Sequence, residues 1–317
     1  MLQQLKNIDY NSLPISSYSR NYILRMLPNI DYYLEIYQRS IDLMLQRLGK
    51  KAEDTVMIDY GGGHGFLSLT AKQMGIGKVI YIDLNPQAVE AMQAVSAEMD
   101  LSPDIILQGN STDLRLWCKR NGVIPDAVLG TDVIEHIYRL ELFFYDLYAT
   151  NPNLLMLFTT GSTPFNPWVK KRLRRIMMQD ELGHGGKPGY FQLRKQFILK
   201  NYPDMSDLDA EVWASDTRGL TYPDILVAID SHRPNIGIDN YNTCDPATGN
   251  WTERILSIKR YQRIVDRYHT TVEVELGYYN IHCKGLKRLA AKIVNLFIRK
   301  TNCRKLAPFI TLLFIKK

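Results

Sequence analysis

The run Thr55 to Phe66, TVMIDYGGGHGF, limits what this chain can fold into more than any other stretch. Val56, Met57 and Ile58 form an apolar run of strand character that ends in a carboxylate, Asp59. Gly61, Gly62 and Gly63 follow, then His64 and Gly65, and Phe66 to Ala71 reads as a helix. Strand, glycine turn and helix in that order form the nucleotide-binding crevice of an open parallel sheet. Glycines there let the backbone adopt φ > 0 and approach a ligand closely. The position of Asp59 argues against a dinucleotide, whose pyrophosphate sits at the helix N-terminus and would be repelled. The GxGxxG pattern also asks for a third glycine where this chain has Phe66. A ligand with no phosphate and a cationic end suits Asp59 better.

Two further stretches sharpen this reading. Lys78 to Asp83 reads as the next strand, again ending in an acid, followed by Leu84 and by Pro86 opening a helix. An acid at that place holds the ribose hydroxyls of an adenosine, whether the ligand is S-adenosylmethionine or NAD. Farther on, Pro125 to Gly130 runs into Thr131-Asp132-Val133-Ile134-Glu135-His136. Asp59-Tyr60-Gly61-Gly62-Gly63-His64-Gly65 resembles the first motif of class I S-adenosylmethionine-dependent methyltransferases, (D/E)xGxGxG. Asp132-Val133-Ile134-Glu135-His136 resembles their fourth, D-V-(L/I)-E-H. The resemblance implies an α/β fold: a Rossmann-like seven-stranded sheet in the order 3-2-1-4-5-7-6 with helices on both faces. It implies that Asp59, Gly61, Gly62, Gly63, His64 and Gly65 hold the methionine end of S-adenosyl-L-methionine. Asp83 and Leu84 then meet the ribose side, Asn110, Ser111 and Thr112 the adenine, and Thr131, Asp132 and Val133 flank the sulfonium.

Glu135 and His136 carry the candidate chemistry. An imidazole beside the methyl acceptor can take a proton from a hydroxyl. With His184 the pair has the ligand types for a divalent metal, as in small-RNA 2′-O-methyltransferases that the motif also resembles. A purely structural role is the third reading. No HxxH-type pair occurs near His184, and no metal is assigned.

Taken in order, residues 1–54 read as an N-terminal helical segment. It comprises a loose arm before about residue 17 and a helix from Asn29 to Gly49. That helix has Tyr33, Tyr37, Ile41 and Met44 on one face. Tyr32, Tyr33 and Tyr37 either pack in the core or line the substrate side. Residues 55–161 alternate strands (55–59, 78–83, 104–109, 126–132, 154–160) with helices (66–75, 86–99, 111–119, 139–149), the pitch of βαβ units. Residues 162–260 break that alternation. They hold a turn-rich start, a basic amphipathic helix near 169–177 and a glycine-rich stretch at 181–190, and are expected to form an irregular substrate-binding insertion or lid. Residues 261–317 complete the sheet with a helix, an alternating strand at 270–279, a basic helix and a last strand at 308–315. Leu286, Leu289, Ala290, Ile293 and Phe297 are expected to pack that basic helix on the sheet, leaving its cations on the surface.

The chain has 317 residues, 45% of them hydrophobic, enough for a globular core. Its first residues lack the basic-then-apolar pattern of a signal sequence, and the apolar run Ala307 to Ile315 is too short to span a bilayer. Cys118, Cys244, Cys283 and Cys303 are scattered, which points to free thiols in the cytoplasm. The net charge of +6 is concentrated from Ile281 onward, where Lys and Arg are frequent and Asp and Glu do not occur. Such asymmetry suggests an anionic partner, with peripheral contact to an anionic membrane preferred over nucleic acid. The expected activity is methyl transfer to a hydroxyl or amine of a small molecule, glycan precursor or lipid-linked intermediate. Metal-assisted RNA 2′-O-methylation and non-catalytic S-adenosylmethionine binding are the alternatives.

Overall fold

The computed structural model describes residues 1–233 and 241–317; residues 234–240 of the expected insertion lie outside the described part. Nine strands are found among the described residues: β1 (Val56–Tyr60), β2 (Lys78–Asp83), β3 (Ile105–Gln108), β4 (Ala127–Thr131), β5 (Leu155–Thr160), β6 (Gly183–His184), β7 (Lys187–Pro188), β8 (Thr270–Leu276) and β9 (Ile310–Lys316). Seven of them form one sheet in the order β3-β2-β1-β4-β5-β9-β8. The first five are parallel, and β9 enters antiparallel between β5 and β8, with Leu157 opposite Leu313. This is the expected 3-2-1-4-5-7-6 order, because the short β6–β7 hairpin stands apart.

Each central strand is buried on both sides, so its apolar residues divide between two cores by parity. Met57, Val79, Tyr81, Ala127, Leu129 and Leu157 face one core. Ile58, Ile80, Ile82, Val128, Met156 and Phe158 face the other. The first core is covered by α1 (Leu2–Asn7), α2 (Ser17–Met26), α3 (Ile30–Leu48), α4 (Phe66–Gln73) and α5 (Pro86–Met99). The second packs against α6 (Ser111–Asn121), α7 (Leu140–Thr150), α12 (Ile258–Val265) and part of α13 (Leu286–Thr301). Helix α3 buries Ile30, Leu34, Tyr37, Ile41 and Met44, and Gly49 ends it in the left-handed conformation. Each such apolar side chain contributes at most about 1.5–3 kcal/mol.

Three expectations are corrected. The N-terminal arm is not loose: Leu5, Tyr10 and Leu13 are buried, and the Arg20 guanidinium donates to the carbonyls of Tyr10, Leu13 and Ile15. The insertion is not irregular: α8 (Pro167–Leu182), α9 (Tyr190–Asn201), α10 (Asp207–Asp216) and α11 (Tyr222–Asp230) build it. Helices α9, α10 and α11 share a small core of Ile198, Ala210, Ala214, Ile225 and Ile229, while α8 packs Leu173 and Met177 against Ile255. The basic helix α13 does not lay its large apolar stripe on the sheet. Ala291, Asn295 and Ile298 face inward, whereas Leu286, Leu289, Ala290, Ile293 and Phe297 face out. The buried Asn295 amide sets this rotation, accepting from the Tyr279 N–H and donating to the Tyr279 carbonyl, each at 2.8 Å. No helix among the described residues is long and apolar enough to cross a membrane.

Candidate active site

The glycine turn joins β1 to α4 beneath the N-terminal helices. Gly61 has φ +66°, and a Cβ there would lie 2.4 Å from Cγ2 of Val133, so the turn packs directly on the end of β4. A Cβ on Gly62 would stand 2.8 Å from Oδ2 of Asp59 and 2.6 Å from the Tyr81 ring. The turn therefore roofs Asp59 with bare backbone. Its amides are already committed. Gly61 and Gly62 donate to the Ile82 carbonyl, Gly65 to the Gly62 carbonyl, and Gly63 to Oδ2 of Asp83 at 2.8 Å. A pyrophosphate needs such amides, and these four are occupied.

Asp59 is 1% exposed and accepts a 2.7 Å hydrogen bond from the Ser68 hydroxyl. Burial pushes its carboxyl up to about 7, partly offset by that bond. Among the described residues no cationic side chain pairs with it, so a ligand ammonium is the group that would favour its charge. Asp83 accepts from the amides of Gly63 and Asn85, and burial raises its carboxyl also. Two bonds leave lone pairs on both oxygens for ribose hydroxyls. Leu84, next to it, is exposed. His64 is buried, its Nε2 has no partner, and burial lowers its ring to about 4, so it is neutral at physiological pH. Tyr22 of α2 stacks on it, with ring centres 4.8 Å apart. Tyr22, Met26, Tyr37, Asp59, His64 and Thr131 enclose a cavity of ≈ 70 Å³. A buried acid under bare glycine backbone and an orphaned imidazole nitrogen fit the methionine end of S-adenosylmethionine.

The expected adenine residues have structural partners. Asn110 caps α6, accepting from the amides of Thr112 and Asp113, while Asp113 accepts from the Asn110 amide. The hydroxyls of Ser111 and Thr112 both donate to Asp146. An adenine role for this stretch would fall to its backbone.

Beyond the crevice, the end of β5 organises three carboxyl groups through three consecutive residues. The Thr160 hydroxyl donates to Oε1 of Glu135 at 2.5 Å, the Gly161 amide to Oδ1 of Asp132 at 3.1 Å, and the Ser162 hydroxyl to Oε2 of Glu253 at 3.0 Å. Asp132 and Glu253 both have φ +50°, a conformation that L-residues seldom adopt and that concentrates at functional sites. Asp132 is exposed to solvent at the rim of this cluster. Partial desolvation by the surrounding chain raises its carboxyl, the Gly161 amide offsets this, and the Glu253 charge adds to the rise. Glu135 is 1% exposed, and burial, then Asp132, push it well above the carboxylate range. Its Oε2 has no partner. Nδ1 of His136 lies 2.7 Å from the Trp251 carbonyl. A carbonyl only accepts, so Nδ1 carries the hydrogen and Nε2 keeps its lone pair, the tautomer a base requires. His184, by contrast, is exposed on the β6–β7 hairpin. Among the described residues no group of three His, Cys, Asp or Glu side chains is disposed to hold a metal ion.

Sequence reasoning missed Glu253, Thr160 and Ser162. It also missed the cleft beyond them. Lys170, Trp251, Arg254 and Arg263 line an open space of ≈ 950 Å³ between the insertion and the core, together with two ion pairs, Arg139–Asp224 and Arg260–Glu141. The Arg254 amide donates to the Glu135 carbonyl and its guanidinium lies 4.1 Å from the Trp251 ring centre, so this cationic cleft adjoins the carboxyl cluster.

Residues 39–124 match the family model of ribosomal protein L11 methyltransferase (PrmA). The ribosomal protein L11 methyltransferase of Acinetobacter baylyi is 35% identical over 92 residues, 29% of this chain and 30% of that protein. The enzyme of the same name from Colwellia psychrerythraea is 41% identical over 54 residues, 17% and 18% of the two chains. The chain thus aligns with less than a third of the length of these curated relatives. Among solved structures, PKMT2 from Rickettsia typhi in complex with AdoHcy aligns with a TM-score of 0.43 and 14% identity, over 88% of this chain and 52% of that one. The matched family segment holds Asp59, the glycine turn and Asp83, and it stops before Asp132.

Proposed function

We propose that this chain, which has the class I methyltransferase fold, transfers a methyl group from S-adenosylmethionine to a hydroxyl or amine of a small anionic molecule. A glycan precursor or a lipid-linked intermediate has the right chemistry. The observation that carries the donor half is the pair of strand-ending acids, Asp59 and Asp83, set over a glycine turn whose own amides are occupied. The cationic cleft beside the carboxyl cluster supports the acceptor half. The relatives named above are methyltransferases of a ribosomal protein by name, and the family-model match ends at residue 124, before every residue of that cluster. A protein side chain is therefore the competing acceptor class for this chain.

When bound, S-adenosylmethionine supplies a methyl on a positively charged sulfur. In this reading Asp59 meets the ammonium, His64 turns its free Nε2 toward the ligand, and Asp83 holds the ribose. Lys170, Arg254 and Arg263 bind the acceptor's anionic group. Asp132, fixed by Gly161, orients the acceptor heteroatom toward the methyl. His136, held by Trp251, accepts the proton that the heteroatom loses. Glu135 is a positioning residue, and His184 is peripheral to this arrangement. Calorimetric titration with S-adenosylhomocysteine and with NAD tests the donor half: the first is expected to bind and the second not. Binding of NAD alone would overturn the proposal. Turnover on a panel of phosphorylated sugars, lipid-linked saccharides and basic peptides tests the acceptor half, and activity confined to peptides would transfer the relatives' substrate class to this chain.

A further inference from the structure

Helix α13 presents its bulky apolar residues to water. Leu286 is 85% exposed, Ile293 60%, Leu289 56%, Leu296 54% and Phe297 50%. At 100° per residue these five lie on one continuous arc, about a third of the circumference. Scattered exposed leucines need no explanation, but a contiguous stripe on one fixed helix does. The helix cannot turn to hide it, because the buried Asn295 is bonded to both backbone groups of Tyr279. Its inner face is small, with Ala291, Asn295 and Ile298 buried.

The charge of this stretch of chain is of one sign, with Glu35 and Glu275 of other elements on the side of Arg299 that faces the core. From Ile281 to Lys317 there are ten Lys and Arg residues and no Asp or Glu. Arg288, Lys292 and Arg299 run along one flank of the apolar arc, and Lys287 lies on the other side. Arg299 also stacks on Tyr278, with 4.8 Å from its guanidinium carbon to the ring centre, as does Arg39 from α3 at 4.4 Å. The base of the stripe is thereby tied to the core. A second copy of this chain is a poor occupant, since a two-fold contact would set these cations against themselves. Nucleic acid satisfies the cations and leaves five large aliphatic and aromatic side chains without a partner.

We propose that the outer face of α13 docks the protein in the headgroup region of an anionic lipid bilayer. The stripe would enter the acyl boundary, while long Lys and Arg side chains reach up to lipid phosphates. The helix would lie in the plane of the surface and would not span it. This reading stands on α13 alone and does not depend on the reaction proposed above.

The test is co-sedimentation of the full chain with phosphatidylcholine vesicles, with and without phosphatidylserine, at low and high salt. Binding is expected only with phosphatidylserine present and is expected to weaken as salt rises. The double substitution Ile293→Glu with Phe297→Glu is expected to lower the bound fraction by about tenfold or more. Reversing the flank with Arg288→Glu and Lys292→Glu should do so as well. Both pairs lie on exposed positions, and an unchanged thermal midpoint together with unchanged S-adenosylhomocysteine titration confirms that each variant is folded. Failure to bind anionic vesicles at low salt would overturn the proposal. Binding that ignores Ile293→Glu and Phe297→Glu would also overturn it, by making the contact purely electrostatic. Concentration-dependent self-association abolished by the same two substitutions would assign the face to a second copy instead.

Discussion

Asp59 and the outer face of α13 stand in unfavourable surroundings in opposite senses. Asp59 is an ionisable group withdrawn from water, 1% exposed, with a serine hydroxyl as its hydrogen-bonding partner. The α13 stripe is a set of large apolar groups held in water, with Leu286 85% exposed. Burial costs the first its charge, and exposure costs the second its hydrophobic stabilisation. Neither departure helps the isolated chain. Places where a fold breaks local rules are where function is expected, and each of these names the chemistry that would relieve it. A cation would restore the charge of Asp59, and an apolar phase with an anionic rim would cover α13. Elsewhere the same chain follows the rules: α3 is also amphipathic, and it buries its apolar face completely at Ile30, Ile41 and Met44.

The largest expected effect comes from removing the charge that Asp59 can carry. Asp59→Asn keeps shape and keeps an acceptor for Ser68, yet leaves a ligand ammonium with no counter-charge. Loss of one partner of a buried pair costs about 3–5 kcal/mol, so affinity for S-adenosylhomocysteine is expected to fall by a hundredfold or more in calorimetric titration. The ligand-free variant is expected to be more stable than the parent at pH 8, because a buried carboxylate has been replaced by a neutral amide. A variant that loses affinity and stability together would mean that Asp59 supports the fold, and the contrast with α13 would fail.

The contrast between two amphipathic helices gives the next effect. Ile41 of α3 is fully buried, and Ile41→Ala is expected to destabilise the protein by about 2–5 kcal/mol through lost transfer energy and a cavity. Ile293→Ala, on the outer face of α13, is expected to stay within about 0.5 kcal/mol. Denaturant unfolding of both variants checks this. Equal losses would mean that the α13 stripe is covered in the protein in solution.

These two helices also mark where the sequence could be read and where it could not. The parallel strands were placed within one or two residues because doubly buried strands are unbroken apolar runs closed by glycine, asparagine or aspartate. The acids Asp59 and Asp83 were legible for the same reason: they end such runs. Periodicity likewise gives α13 an apolar face but does not say which face meets the protein; Asn295 decides that through a bond to a distant backbone. The insertion was misread because its helices bury small or charged residues. Arg194 is completely buried and meets Glu181 at 2.5 Å, joining α9 to α8, and both residues read as surface in a one-dimensional pattern. Glu253 joins Asp132 and Glu135 only because residues 251–254 fold back onto the end of β4, with Trp251 and Arg254 donating backbone bonds to His136 and Glu135. No local motif announces such a return.

A third effect, smaller per pH unit than either, is proton linkage at Asp59. Its carboxyl is raised to about 7 in the ligand-free protein, whereas in an unfolded chain it titrates near ~3.9. The folded state therefore holds more protons than the unfolded one between roughly pH 4 and pH 7, and stability from this group declines as pH rises through that window, by at most about 1.4 kcal/mol per unit. Ligand binding works in the other direction. A bound ammonium favours the carboxylate, so below pH 7 binding must first expel a proton. Affinity for S-adenosylhomocysteine is expected to drop by up to about tenfold per pH unit below ~7 and to level off above it. His64 cannot supply this dependence, because its ring is already neutral above about 4. Asp83 stands near enough to raise Asp59 and is itself raised, so its own titration is separated by repeating the series with Asp83→Asn. The dependence should survive that substitution and vanish in Asp59→Asn. Titrations in two buffers of different ionisation enthalpy should report proton release at pH 6 and little at pH 8. A flat profile in the parent protein would mean that Asp59 does not face the ligand's charge, and the buried acid would lose its proposed reason for being there.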